Sequence, residues 1–266
     1  MRRLFCDGTI IQQPQKKIIC FFPISENKFR HTDEKNSYAV YNKNNIIFRE
    51  NKTMYNTVIF DLDGTLLDTL QDLADSANYA LRAMGFPERS LSEVRSFVGN
   101  GVRRLMALCV PDGEDNPRFE ECFAVFNEHY DAHCRDNTKP YDGIMKLLSD
   151  LTKKEYKLAI VSNKPDAPVK VLTREWFGNY ISVAIGEKAT VRKKPAPDTV
   201  LKALDELWSE KWEAVYVGDS EVDIATAKNA GVDCISVTWG FRDEDWLRDN
   251  GATMIAHEPK DILGML

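Results

Sequence analysis

The 266 residues are 43% hydrophobic and 29% charged, with a formal net charge of −6, the composition of a globular chain long enough for one sizeable core and a smaller companion domain. The charge is uneven: residues 1–53 carry ten Lys/Arg against five Asp/Glu, leaving 25 against 36 for the rest. So acidic a main body repels a phosphate backbone, which excludes nucleic acid as an expected partner. Cys6, Cys20, Cys109, Cys122, Cys134 and Cys234 form no Cys-x-x-Cys pair, so neither a metal knuckle nor a disulfide framework is expected. The apolar run from Ile18 to Ile24 contains Pro23 and is too short to span a bilayer. No membrane association is expected, and a reducing cytoplasm is the default location.

Residues 1–53 hold Asn-, Lys- and Gln-rich stretches, a single glycine and no sustained period, and are expected to be a disordered extension or a mis-assigned start. At Met54 the texture changes. Thr57-Val58-Ile59-Phe60 reads as a buried strand running straight into Asp61-Leu62-Asp63-Gly64-Thr65. Residues 69–138 then take a helical pattern. Leu70, Leu73, Ala74, Ala77, Leu81 and Met84 recur at steps of three and four, and Gly85 and Pro87 supply the stop. A second helix follows Ser92-Glu93, and Phe119, Phe123, Phe126 and Tyr130 share one stripe of a third. His129 and His133 lie one turn apart but on that packed face, with no third ligand nearby.

From residue 139 onward helices alternate with the apolar runs Leu158-Ala159-Ile160-Val161, Val183-Ala184-Ile185, Ala214-Val215-Tyr216-Val217 and Cys234-Ile235-Ser236-Val237. Near-continuous apolar strands separated by helices predict a Rossmann-like α/β fold, a parallel sheet covered by helices on both faces. Residues 54–68 and 139–266 form its core. Residues 69–138 are a small all-helical domain inserted after the first strand.

Ligands of such sheets bind beyond the carboxyl ends of the strands. There this sequence delivers Asp61 and Asp63, Ser162-Asn163-Lys164, Lys193-Lys194-Pro195, and Gly218-Asp219-Ser220-Glu221-Val222-Asp223. A turn at Gly64 can aim both early carboxylates at one point, so that one attacks phosphorus while its neighbour moves a proton. Clustered carboxylates call for a hard cation such as Mg²⁺. Lys194 adds positive charge, and Ser162 can hold a phosphoryl oxygen.

The ordered set DLDGT, VSN, KKPAPD and VGDSEVD resembles the haloacid dehalogenase superfamily of phosphohydrolases over essentially all of residues 54–266. The resemblance implies Asp61 as nucleophile, Asp63 as general acid/base, and Ser162 and Lys194 as phosphate-holding groups. It implies Mg²⁺ bound by Asp61, the Asp63 carbonyl and Asp219, with Asp223 as ligand or support, and a helical cap that closes over the substrate. An aspartate two residues after the nucleophile favours phosphate hydrolysis over dehalogenation. DLDGTLLDTLQDL, Phe97-Val98-Gly99-Asn100-Gly101-Val102 and Thr238-Trp239-Gly240-Phe241 look more narrowly like phosphoglycolate phosphatases. Candidate substrate contacts are then Thr65, Asn163, Asn100 and Gly101, with Arg103 or Arg104, Arg104 favoured, meeting a substrate carboxylate. The expected partner is a small anionic phosphorylated metabolite, most simply 2-phosphoglycolate, and the expected assembly a monomer or homodimer. A pyrophosphatase or β-phosphoglucomutase-like enzyme is the alternative within the superfamily, and a phospho-aspartate signalling module a remote one outside it.

Overall fold

The computed structural model describes residues 55–266 in full. In a separate unit, Met1–Met54, it describes only the backbone of short antiparallel strands. The expectation for residues 1–53 falls outside the fully described residues.

Six parallel strands form the sheet: β1 (Thr57–Phe60), β4 (Lys157–Pro165), β5 (Val183–Glu187), β6 (Ala214–Gly218), β7 (Asp233–Val237) and β8 (Met254–Ala256). Their spatial order is β5-β4-β1-β6-β7-β8. Strand β8 is not legible as a strand in the sequence, because three residues bounded by loops carry too little pattern. The side chains alternate as the pleat requires. Val58, Phe60, Ile160, Val217 and Ile235 pack on one face with α5 (Ile144–Lys153), α6 (Asp166–Leu172) and α9 (Pro259–Met265). Ile59, Ala159, Val161 and Tyr216 pack on the other with α7 (Asp198–Glu206) and α8 (Glu221–Ala230). Helices thus cover both faces of the sheet.

A short antiparallel pair, β2 (Leu67–Asp68) with β3 (Lys139–Pro140), carries the chain out of the sheet and back. Between them α1 (Leu70–Met84), α2 (Leu91–Phe97), α3 (Val102–Cys109) and α4 (Phe119–His133) enclose a core of their own, including Leu73, Leu81, Val94, Met106, Phe119 and Phe126. The sequence pattern anticipates three of these helices; α3 is the addition. Helix α1 ends at Gly85, whose φ of 70° suits a left-handed cap. Helix α2 starts one turn earlier than its pattern suggests. Ser90 accepts from the Glu93 N–H, and Glu93 reaches back to the Ser90 N–H, a reciprocal capping box. The stem is pinned by buried Asp72, whose carboxylate accepts from the backbone N–H groups of Asn137 and Thr138 at 2.9 Å.

Candidate active site

Register decides what meets at the carboxyl edge. Phe60 pairs with Ile160 on one side and Val217 on the other, so Asp61, Ser162 and Asp219 emerge from adjacent strands. After β1 the chain turns so tightly that Leu66 and Leu67 both donate to the Leu62 carbonyl. Gly64 permits this turn. Its φ is +87°, and a Cβ there would stand 2.4 Å from an Asp219 carboxylate oxygen. Gly240 presses in from the opposite loop, where a Cβ would also come within 2.4 Å of Asp219.

Lys194 is the centre of the charge arrangement. Its buried ammonium lies 2.8 Å from Asp61 Oδ1, 2.7 Å from Asp223 Oδ1 and 3.1 Å from the Tyr216 hydroxyl. Burial alone would discharge this lysine, but Asp223 and Asp61 outweigh it and hold its pKa above the usual range. Asp61 Oδ1 also accepts from the Leu62 N–H at 2.7 Å, which leaves Oδ2 without a hydrogen-bond partner among the described residues. Asp223 spends Oδ1 on Lys194 and Tyr216 and Oδ2 on the N–H and hydroxyl of Ser220. Asp219 accepts from the Phe241 N–H at 2.7 Å and the Thr65 hydroxyl at 3.2 Å.

Asp61, Asp219 and Asp223 offer oxygens that all lie within 4.8 Å of one another. Burial, reinforced by Asp223, pushes the Asp219 carboxyl up to about 7 against the pull of the Phe241 N–H and Lys194. Burial likewise raises Asp61 well above the carboxylate range; Asp223 and Asp219 add to the rise, and Lys194 opposes it. One lysine does not balance three buried carboxylates. A site of hard oxygen donors with unbalanced negative charge fits a divalent cation such as Mg²⁺. Among the described residues no other cluster of His, Cys, Asp and Glu has metal-binding geometry; His129 stacks on His133 and bonds Ser76 instead.

Asp63 lies beside this cluster, 3.4 Å from the Ser162 hydroxyl and 2.9 Å from the Lys164 ammonium. Lys164 in turn bonds the hydroxyl of Tyr130 on α4, joining the helical insertion to the sheet. Asp61, Asp63, Ser162, Asn163, Lys164, Lys194 and Asp219 line a cavity of about 40 Å³, roofed from the insertion by Leu73, Val98, Gly99, Gly101, Val102 and Leu105.

Several candidate substrate contacts stand elsewhere. Thr65 is buried and braces Asp219, because the turn after β1 folds it inward. Asn163 reaches the cavity, yet its side-chain amide is spent on the backbone N–H and carbonyl of Lys194. Gly101 lines the cavity as expected of it. Asn100 and Arg104 do not; with Arg103, Glu114 and Lys193 they line a separate, open cavity of about 360 Å³. Arg103 is held there by Glu114 at 2.9 Å and by Glu120. Helix α3 turns Arg103 and Arg104 outward while its apolar Val102 and Leu105 roof the site.

Lys164, Tyr130, Tyr216 and Arg242 join the site without being singled out by the sequence motifs. Lys164 had a signal, since it directly follows Ser162 and Asn163. Arg242 had none; it donates to the Val98 carbonyl at 2.9 Å and pairs with Glu221 at 2.9 Å, while Arg95 donates to the Gly240 carbonyl at 2.7 Å. The bonds to Val98 and from Arg95 latch the insertion onto the loop after β7. No helix among the described residues is long and apolar enough to cross a membrane.

The profile of the haloacid dehalogenase-like hydrolases matches residues 58–237. The chain is 36% identical over 186 residues to the phosphoglycolate phosphatase of Aquifex aeolicus, covering 69% of this chain and 85% of that protein. It is 33% identical to phosphoglycolate phosphatase 1 of Pseudomonas aeruginosa over 213 residues, 77% of this chain and 78% of that one. The N-acetylmuramic acid 6-phosphate phosphatase of the same organism is 30% identical over 79% of this chain and 93% of its own length. Among solved structures, CbbY from Rhodobacter sphaeroides in complex with phosphate superposes with a TM-score of 0.65 at 25% identity, covering 80% of this chain and 99% of that one. On motif order, sheet topology and family match together, the chain belongs to the haloacid dehalogenase-like hydrolases and is similar, within them, to phosphoglycolate phosphatases.

Proposed function

We propose that this protein is a Mg²⁺-dependent phosphatase that hydrolyses a small phosphorylated metabolite, 2-phosphoglycolate to glycolate and phosphate, through a phosphorylated Asp61. The observation that carries this reading is the division of labour at Asp61. One oxygen is held by Lys194 and the Leu62 N–H, and the other is left free at the cavity beside a second carboxylate, Asp63. Mg²⁺ held by Asp61, the Asp63 carbonyl and Asp219 would offset the charge that gathers on the phosphoryl oxygens.

The chain's own groups supply the rest. Asp61 Oδ2 attacks phosphorus, the bond to the ester oxygen breaks, and Asp63 gives that oxygen its proton. Asp63 then takes a proton from water, whose oxygen attacks the same phosphorus and releases phosphate and free Asp61. Ser162 and Lys194 hold the phosphoryl group in line, and Asp223 fixes Lys194. The helical insertion acts as a cap. Against roughly 10–15 Å³ per water position, a cavity of about 40 Å³ accommodates only a small group, which supports a short substrate.

Phosphate release from 2-phosphoglycolate, N-acetylmuramic acid 6-phosphate, pyrophosphate and hexose phosphates, each with and without Mg²⁺, tests the proposal. Phosphoglycolate is expected to lead, with activity lost on chelation. Asp61→Asn is expected to abolish turnover while retaining the fold by circular dichroism. Full activity in that variant rejects the mechanism; preferred release from pyrophosphate, or hexose isomer formation without net phosphate, rejects the substrate.

A further inference from the structure

The cap arginines that the sequence offers for a substrate carboxylate do not line the active-site cavity, so a charge on the leaving group needs another partner. Among the described residues, the cavity receives from the cap side only apolar side chains and glycine backbone. Among the described residues two cations line it, Lys164 and Lys194. An ammonium has three N–H donors. Lys194 spends all three, on Asp61, Asp223 and Tyr216. Lys164 spends two, on Asp63 and Tyr130, and its side chain is only 2% exposed.

We propose that Lys164 reads the negative charge of the leaving group with its remaining N–H, making short phosphate esters that carry a carboxylate close to the ester oxygen the preferred substrate class. This rests on the phosphatase reading, in which Asp63 meets the ester oxygen. Lys164 bonds that same carboxylate at 2.9 Å and lines the cavity, so its ammonium lies beside the group that meets the ester oxygen. A carboxylate one methylene away falls within reach. Its desolvation on closure is offset by a cation already buried and oriented, which strengthens the pairing relative to open solvent. Tyr130 ties this recognition to the cap. Its hydroxyl, from α4, orients the ammonium when the insertion is seated on the sheet, and its ring lies 4.7 Å from the ammonium. Specificity for an anion thus resides in a core lysine steadied by a cap tyrosine.

The test is a ratio that does not depend on the fraction of active protein: kcat/KM for 2-phosphoglycolate divided by kcat/KM for 2-hydroxyethyl phosphate, a neutral leaving group of the same chain length. Lys164→Gln is expected to lower this ratio by about 30-fold or more, the loss expected when a buried charge pair is truncated. Lys164→Arg should recover part of it, and Tyr130→Phe should lower it less than Lys164→Gln. A ratio in Lys164→Gln equal to that of the wild type overturns the inference, since Lys164 would then act only on Asp63. Wild-type protein that hydrolyses both esters without preferring the anionic one also overturns it while leaving the phosphatase reading intact. Wild-type protein that releases phosphate from neither ester defeats that reading itself.

Discussion

Asp61 and Asp63 are two residues apart yet sit in different electrostatic company. Asp61 is locked by Lys194 and the Leu62 N–H, with one oxygen free, whereas Asp63 is held by side chains alone, Ser162 at 3.4 Å and Lys164 at 2.9 Å. The first arrangement suits a nucleophile that must not move, the second a group that must swing between a leaving oxygen and a water. Asp63→Asn is therefore expected to slow turnover by roughly a hundredfold to ten-thousandfold in steady-state assays, a graded loss distinct from abolition at Asp61. Equal loss in the two variants would contradict separate roles. The placement of Asp61, Asp63, Ser162, Lys194 and Asp219 around one cavity is legible one by one, because it is set by position after a strand. The cap contacts are not. Whether Arg104 faces in or out depends on helix rotation, and the apolar residues of α3 take the inward face.

At the scale of elements, the sheet is assembled through polar joints as well as apolar faces. Asp166 opens α6, accepts from the Gly186 N–H of β5 at 3.1 Å and pairs with Lys188 at 3.0 Å and Lys170 at 3.2 Å. Burial would raise its pKa, but the Gly186 N–H and the two lysines outweigh burial and lower it. A carboxyl with a depressed folded-state pKa lends stability that is full above its unfolded value, about 3.9, and is lost as pH falls through the folded value. Urea midpoints measured from neutral pH into the acid range should fall less steeply in Asp166→Asn than in the wild type; parallel curves would show that this joint carries no linkage. The strands β1, β4, β5, β6 and β7 and helices α1 and α4 announce themselves by apolar periodicity. Strand β8 and helix α3 do not, since a three-residue edge strand and a helix of eight residues hold too few periods to stand out.

For the whole molecule, the helical insertion is held on the sheet domain by contacts remote in sequence. Arg242 binds the Val98 carbonyl, Arg95 binds the Gly240 carbonyl, and Lys164 meets Tyr130. Arg242→Ala is expected to loosen the cap without disturbing the sheet. Amides of α2 and the adjoining Gly99 loop should exchange faster with solvent while those of β1 and β6 stay protected, with kcat/KM down by about tenfold, or about 1.4 kcal/mol. Uniformly faster exchange would mean instead that Arg242 supports the fold as a whole.

The sequence by itself determined the α/β class and the position of a helical insertion. It also placed acidic, hydroxyl and basic residues at the carboxyl edge, because each depends on patterns within a few residues: strand runs, helical stripes, and acid or base directly after a strand. Only the tertiary structure decided which side chains share the cavity. It turned Asn100 and Arg104 to a neighbouring cavity, sank Thr65 behind Asp219, and brought Lys164, Tyr130 and Arg242 to the boundary between cap and core. Those outcomes depend on how one helical block is rotated and seated on a sheet. That seating is fixed by the sum of packing and hydrogen bonds between residues far apart in the chain, for which no local pattern exists.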